Sequence, residues 1–262
     1  VKNTMKHSFL DRYSDRDSFV HRLDPRTKLV AVFLFILAVA LTSPVMWPVF
    51  AAYFIIIATL IVLSGVPVLY VLKRSLVIIP FVLLIAIFIP FFKEGEAITS
   101  FNIWTWQVTA TYHGLQVLVT ILLKAWLSIL SLILLTSTTK ITDLLRGLEQ
   151  LRLPKVMVMV LSFMYRYIFI LTDEVMRMKQ ARDSRNFGGS RLWQIKTIGN
   201  MAGTLFIRSY ERGERVYDAM LARGFDGQSR TLRHLSFGLS DLLFGVSFGL
   251  LVILTCIFNF IH

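Results

Sequence analysis

The chain has 262 residues, 55% of them hydrophobic, and a mean hydropathy of +0.65, which excludes an ordinary soluble domain and points to a bilayer. Its formal net charge of +12 leaves nucleic acid open as a partner until the distribution of that charge is considered. A single cysteine, Cys256, excludes a disulfide framework and a thiolate metal cluster and reads as a buried apolar side chain.

Residues 1–27 form a polar leader with both signs of charge and without the pattern of a cleavable signal, so the first span is expected to act as its own insertion signal. The leader runs into His21-Arg22-Leu23-Asp24-Pro25-Arg26-Thr27-Lys28-Leu29. Asp24 is suited to cap a helix whose first residue is Pro25, where the missing N–H does no harm, while Arg26 and Lys28 hold that helix end at the headgroups. The expected membrane spans are 28–46, 48–64, 75–92, 112–137 and 237–261. Each is apolar enough and about long enough for roughly 30 Å of hydrocarbon, the second being the shortest. That second span returns after a tight Ser43-Pro44 break, and a turn containing Lys73 and Arg74 leads to the third. An outer loop, 93–111, carries Trp104 and Trp106, which suit the membrane interface.

Numbering the loops alternately puts all but two of the 28 Lys and Arg residues on one side. The exceptions are Lys93, offset by Glu94 and Glu96, and Lys124 inside the fourth span. Cationic segments are retained in the cytoplasm, so the amino terminus and the segment 138–236 are expected there, with the last span leading outward. Topology accounts for the charge, and no nucleic acid is required. The domain reading is a leader at 1–27, a four-helix membrane region at 28–137, a cytoplasmic coupling region at 138–236 and a last span within 237–262.

The cytoplasmic segment is helical in pattern. Thr142-Asp143 begins a short amphipathic helix that Arg152-Leu153-Pro154 ends, and a long helix follows from about Pro154 to Arg185. It is apolar in its first half and charged in its second, and a later helix over 195–223 repeats the design. A shift of 38 positions aligns Asp173, Arg177, Ala181, Ser184, Arg185, Asn186, Phe187 and Gly189 with Glu211, Arg215, Ala219, Ala222, Arg223, Gly224, Phe225 and Gly227. Each acid is spaced to pair with the Arg four residues on, for about 0.2 to 0.5 kcal/mol. Asn186 and Gly224 are residue types that end a helix in the left-handed conformation, which places Arg185 and Arg223 in the last turns. A cation there is ordinary capping, but two copies flanked by small residues suit docking to a partner with two equivalent sockets.

Other chemistries find little support. The spans contain no Asp or Glu before Asp241, at the edge of the last one, which argues against a proton relay. Lys124 is expected to reach polar groups between helices, with contact to a partner as the alternative. The chain carries no Gly-x-x-x-x-Gly-Lys-Ser/Thr phosphate cradle, no His-Glu-x-x-His and no paired-Cys motif, and its histidines are scattered. It reads as non-catalytic, with no cofactor and no metal site of its own. The methionines Met157, Met159, Met164, Met176, Met178, Met201 and Met220 are expected to pack between helices, or alternatively to offer an adaptable surface.

The leader motif (Arg22, Asp24, Pro25, Arg26, Lys28) resembles that of the energy-coupling transmembrane (T) components of energy-coupling factor transporters. Ser184-Arg185-Asn186 and Ala222-Arg223-Gly224 resemble the paired Ala-Arg-Gly motifs of that family, and the likeness extends over essentially the whole chain. Tyr165-Arg166-Tyr167, Asp173-Glu174 and the run from Tyr210 to Arg215 are most similar to the cobalt-transport CbiQ type, with the nickel-transport type close by. The first arginine motif departs from the pattern in having Ser for Ala and Asn for Gly, and Ala181-Arg182-Asp183 is an alternative register. The resemblance implies an all-α integral membrane subunit with about five spans and a helical coupling domain. It also implies a bacterial or archaeal cell membrane, a separate substrate-binding membrane (S) subunit, two ABC-type ATPase subunits contacted through the two arginines, and uptake of Co²⁺ or Ni²⁺. A conventional ABC-type permease or an ion-coupled transporter, forming the pathway itself, is the alternative.

Overall fold

The structure, a computed structural model, describes residues 18–44, 46–86, 88–89, 97–103, 106–185, 190–227 and 237–261. The chain divides into two compact units, one comprising 18–147 with 237–261 and the other 148–227 among the described residues. In order, the elements are α1 (Phe19–Arg22), α2 (Pro25–Leu41), α3 (Trp47–Ser64), α4 (Val68–Leu76), α5 (Ile79–Ala86), β1 (Ala97–Ile103), β2 (Trp106–Thr111), α6 (Tyr112–Thr138), α7 (Ile141–Gln150), α8 (Lys155–Ser184), α9 (Arg191–Ala222) and α10 (Leu239–Ile261). The expected all-α membrane architecture holds, and β1 and β2 add one small antiparallel hairpin within residues 93–111.

The first unit packs α2, α3, α6 and α10 around a core that includes Phe35, Tyr53, Ile57, Leu127 and Phe248. Phe35 meets the edge of Tyr53 at 5.5 Å between ring centroids and lies 6.3 Å from Phe248. The outward faces are equally apolar: Phe33, Leu37 and Leu41 on α2, Ile55 and Val62 on α3, and Leu243, Leu250 and Leu254 on α10 are all exposed. So continuous an apolar surface is at home in lipid rather than in water. Polar groups among these helices are tied to backbone. Lys124 Nζ donates to the Ala40 carbonyl at 2.8 Å, near the C-terminus of α2, and Ser43 N–H donates to Asn259 Oδ1 at 3.0 Å. The interhelical role expected of Lys124 is the one observed.

Among the described residues five stretches are long and apolar enough to cross a membrane: Trp47–Ser64, Val68–Ala86, Tyr112–Thr138, Lys155–Ser184 and Leu239–Asn259. The expected first span is instead the 17-residue helix α2, which begins at Pro25 because Asp24 caps it and ends before the Ser43-Pro44 break. The apolar half of α8 also meets the length test. The expected third span is broken. Pro80, second residue of α5, has no N–H to continue the ladder from α4, and the chain turns at Val77-Ile78. Lys73 and Arg74 were expected in a turn but lie in the last turn of α4, where cations meet the negative helix end, and Arg74 donates to the Tyr70 hydroxyl at 2.7 Å. The connection itself is Gly65-Val66-Pro67, with Gly65 left-handed at φ 66° closing α3.

The second unit is built on α8 and α9, of 30 and 32 residues, joined among the described residues by the Glu174–Arg208 ion pair rather than by a core. Val158 is the one buried residue of α8 among those described. Met157, Met164 and Met176 are exposed, so these three do not pack inside the chain; two long helices have too little mutual surface to cover them.

Candidate functional site

The arginine tips are built by helix termination. At the end of α9, Gly224 N–H donates to the Leu221 carbonyl at 2.9 Å and Phe225 N–H to that of Met220 at 3.0 Å, a Schellman closure with Gly224 left-handed at φ 78°. Arg223 is thereby the C-cap, the residue at which α9 ends. Arg185 occupies the same position on α8, with its N–H donating to the Arg182 carbonyl at 3.1 Å and Ser184 Oγ bonding back to Gln180 at 2.9 Å. Asn186 lies outside the described residues. Ser184, Arg185, Ala222, Arg223 and Gly224 are all exposed. Neither Arg185 nor Arg223 has an ion-pair or side-chain hydrogen-bond partner among the described residues. Arg182, the alternative register beside the exposed Ala181, is engaged: its guanidinium donates twice to Asp183 Oδ1, at 3.0 and 2.8 Å.

Glu174 organises the two arms. Its carboxylate accepts from Arg177 at 2.9 Å on its own helix and from Arg208 on α9. Those hydrogen bonds and charges, Arg208 foremost, hold the Glu174 carboxyl below its ordinary value. The acid that meets Arg177 is therefore Glu174 at i, i+3, where Asp173 was expected; in the second copy Glu211 and Arg215 pair at i, i+4 and 3.8 Å as expected. Above this bridge a cleft of about 520 Å³ is lined by Met178, Arg182, Arg185, Trp193, Met201 and Arg208, a cationic recess beside one tip. Sequence reasoning missed the bridge between Glu174 and Arg208 because 34 positions separate them and no local pattern joins them.

The leader motif forms a second polar cluster, in the membrane unit. Asp24 caps α2 through Oδ1, which accepts from Arg26 N–H at 2.8 Å, and Pro25 is the first helical residue, as expected. Lys28 is buried and its ammonium is saturated, donating to the carbonyls of His21 and Thr138 at 3.1 and 3.3 Å and to Thr139 Oγ1 at 3.3 Å. Holding the headgroups was the role expected of Lys28; it ties α1 and the end of α6 instead. Arg26 remains partly exposed beside Asp24 at 3.8 Å. Arg22 is exposed at the end of α1 and takes no part in the cluster. Asp241, read from sequence only as an edge residue, is 4% exposed and accepts from Asp24 N–H at 2.7 Å and Gly238 N–H at 2.9 Å. The Gly238-x-x-Asp241 spacing is half of a capping box and was a signal for the second bond. Nothing local announced the first.

The chain matches the family model described as cobalt transport protein, CbiQ, over residues 16–234. It is 32% identical over 258 residues to the energy-coupling factor transporter transmembrane protein EcfT of Brevibacillus brevis, covering 93% of this chain and 95% of that protein. It is 30% identical over 260 residues to the protein of the same name from Listeria innocua, covering 94% and 96%. A putative fused cobalt transport protein CbiMQ of Methanocorpusculum labreanum is 31% identical over 198 residues, 72% of this chain and 32% of that protein. A lipid-facing helical bundle, two long arms ending in arginine and a likeness that runs through both place the chain in the CbiQ family, as a non-catalytic, multi-pass transmembrane (T) component of the energy-coupling factor type.

Proposed function

We propose that the protein couples ATP hydrolysis in two ABC-type ATPase subunits to uptake of Co²⁺ or Ni²⁺ through a separate substrate-binding membrane subunit, with Arg185 and Arg223 each entering one ATPase of a pair. The observation that carries this reading is the exposure of both arginines at equivalent helix ends without a partner among the described residues. A guanidinium on a fixed C-cap is ready for a bidentate contact with a carboxylate. The uncovered apolar residues of the arms, among them Val156, Val160, Met164, Ile195 and Ile198, supply surface for the substrate-binding subunit. The family description and the fused relative's name support a cobalt-type cargo. In this reading the arms and the amino terminus are cytoplasmic, in a bacterial or archaeal cell membrane.

The test is the Arg185→Glu, Arg223→Glu double variant, purified with its neighbours from its own membrane. Loss of both ATPases, or of uptake with the chain still inserted, is expected. Unchanged co-purification and unchanged uptake would overturn the proposal, and so would metal uptake by this chain with ATPases alone.

A further inference from the structure

Among the described residues the chain passes between its two units twice, and within the membrane unit both passages converge on the first turn of α2. The outgoing passage is α7. Its Gly147 lies so close to that turn that a Cβ added there would stand 3.2 Å from Leu29 Cδ1 and 3.4 Å from Pro25 Cβ. Lys28 fastens the residues just before α7, through Thr138 and Thr139. The returning passage enters α10 at Gly238, and Asp241 fastens it by holding Gly238 N–H with one oxygen and Asp24 N–H with the other. Simple capping of α10 would engage Gly238 alone. The second oxygen reaches a residue 217 positions away, and Asp241 lies beyond residue 234, where the family match ends.

We propose that Lys28 and Asp241 are positioning residues of the transport cycle, clamping the outgoing and the returning chain to the first turn of α2. Displacement of the arms then reaches α6 and α10 together, in place of being absorbed at two independent hinges. This inference rests on the coupling role proposed above. Asp24, Lys28 and Asp241 are each about 5% exposed or less, so their charge-assisted bonds act where water does not compete. Loss of one such bond changes an equilibrium by roughly tenfold.

The test uses the whole complex purified through this chain and reconstituted in liposomes, comparing wild type with Lys28→Met and Asp241→Asn. Both variants are expected to keep their ATPases and their ATP hydrolysis while cobalt uptake per ATP falls about tenfold. Unchanged uptake per ATP in an assembled variant would overturn the clamp. Should neither variant assemble, amide exchange in the wild-type complex decides. Protection at Asp24 and Gly238 that persists when a non-hydrolysable ATP analogue is added supports the clamp, and accelerated exchange at either amide refutes it. A wild-type preparation that carries no ATPases overturns the coupling role itself before any variant is compared, so the two failures are told apart.

Discussion

The backbone N–H of Asp24 donates to Oδ1 of Asp241 at 2.7 Å, joining the start of α2 to the start of α10 inside the protein. The carboxylate's other oxygen holds Gly238 at 2.9 Å, so one side chain serves two amides from distant parts of the chain. Lys28, four residues along α2 from Asp24, fastens the end of α6 in the same region. Three helices of the bundle are thus indexed to one turn of backbone.

Replacing Asp241 by Ala strands the buried amide of Asp24 and the half-buried amide of Gly238 without acceptors. A loss of about 1 to 3 kcal/mol follows from the usual penalty for an unsatisfied buried donor, the half-buried one adding less. Asp241→Asn keeps a carbonyl oxygen for one of them and should lose about half as much. Thermal unfolding of the purified protein in detergent measures both, and equal melting temperatures for all three proteins would contradict the assignment.

Gly147 offers a graded test of the contact between α7 and α2. Its nearest neighbour, Leu29 Cδ1 at 3.2 Å, is the end of a flexible side chain, whereas Arg26 N at 3.5 Å is backbone. Gly147→Ala should therefore be tolerated within about 1 kcal/mol, while Gly147→Leu should destabilise by about 1 to 3 kcal/mol through overpacking. The yield of folded protein and its melting temperature should fall in that order.

At the tip of α9 space is not the constraint, because nothing lies within 4 Å of a Cβ added to Gly224. Conformation is: φ is 78° there. Gly224→Ala should cost about 1 to 2 kcal/mol of local order, and Gly224→Asn less. Hydrogen exchange at Gly224 and Phe225, whose N–H groups close the helix, should accelerate in Gly224→Ala and little elsewhere.

Glu174 makes the bridge between α8 and α9 sensitive to pH. Its carboxyl is held below the ordinary value of 4.5 by Arg208 and Arg177. A carboxylate with a depressed folded-state value contributes stability above its unfolded value and loses it as pH falls through the folded one. The arms should therefore part in the acid range below the ordinary value, as read by spin-label distances between α8 and α9. Glu174→Gln should remove most of that dependence, and an unaltered acid profile in the variant would show that another group is responsible.

Much of this was legible in the order of residues. The Asp24-Pro25 start of α2, the termination of α7 before Pro154, the length of α8 and the left-handed stop at Gly224 are local matters of backbone chemistry, and each was found where expected. The 38-residue repeat located both arginine tips and favoured Arg185, but it left Arg182 as a possible contact residue. Arg182 is taken up by Asp183, and only coordinates show it. The break at Val77-Ile78 was concealed by an unbroken apolar run, although Pro80 was a sign of it.

The sequence by itself determined that the chain lives in a membrane, where α2 and α8 begin, where α7 and α9 stop, and which residues stand at those ends, because hydropathy, caps and stops act over a few neighbouring positions. Tertiary structure alone decided that Asp241 serves Asp24, that Lys28 turns inward to Thr138 and Thr139, and that Glu174 joins two arms. Each of these bonds satisfies a charged group with a partner tens to hundreds of positions away. Which partner that is depends on how the helices pack: burial obliges Lys28 and Asp241 to find one, Glu174 meets Arg208 at the surface, and no local rule names any of these partners.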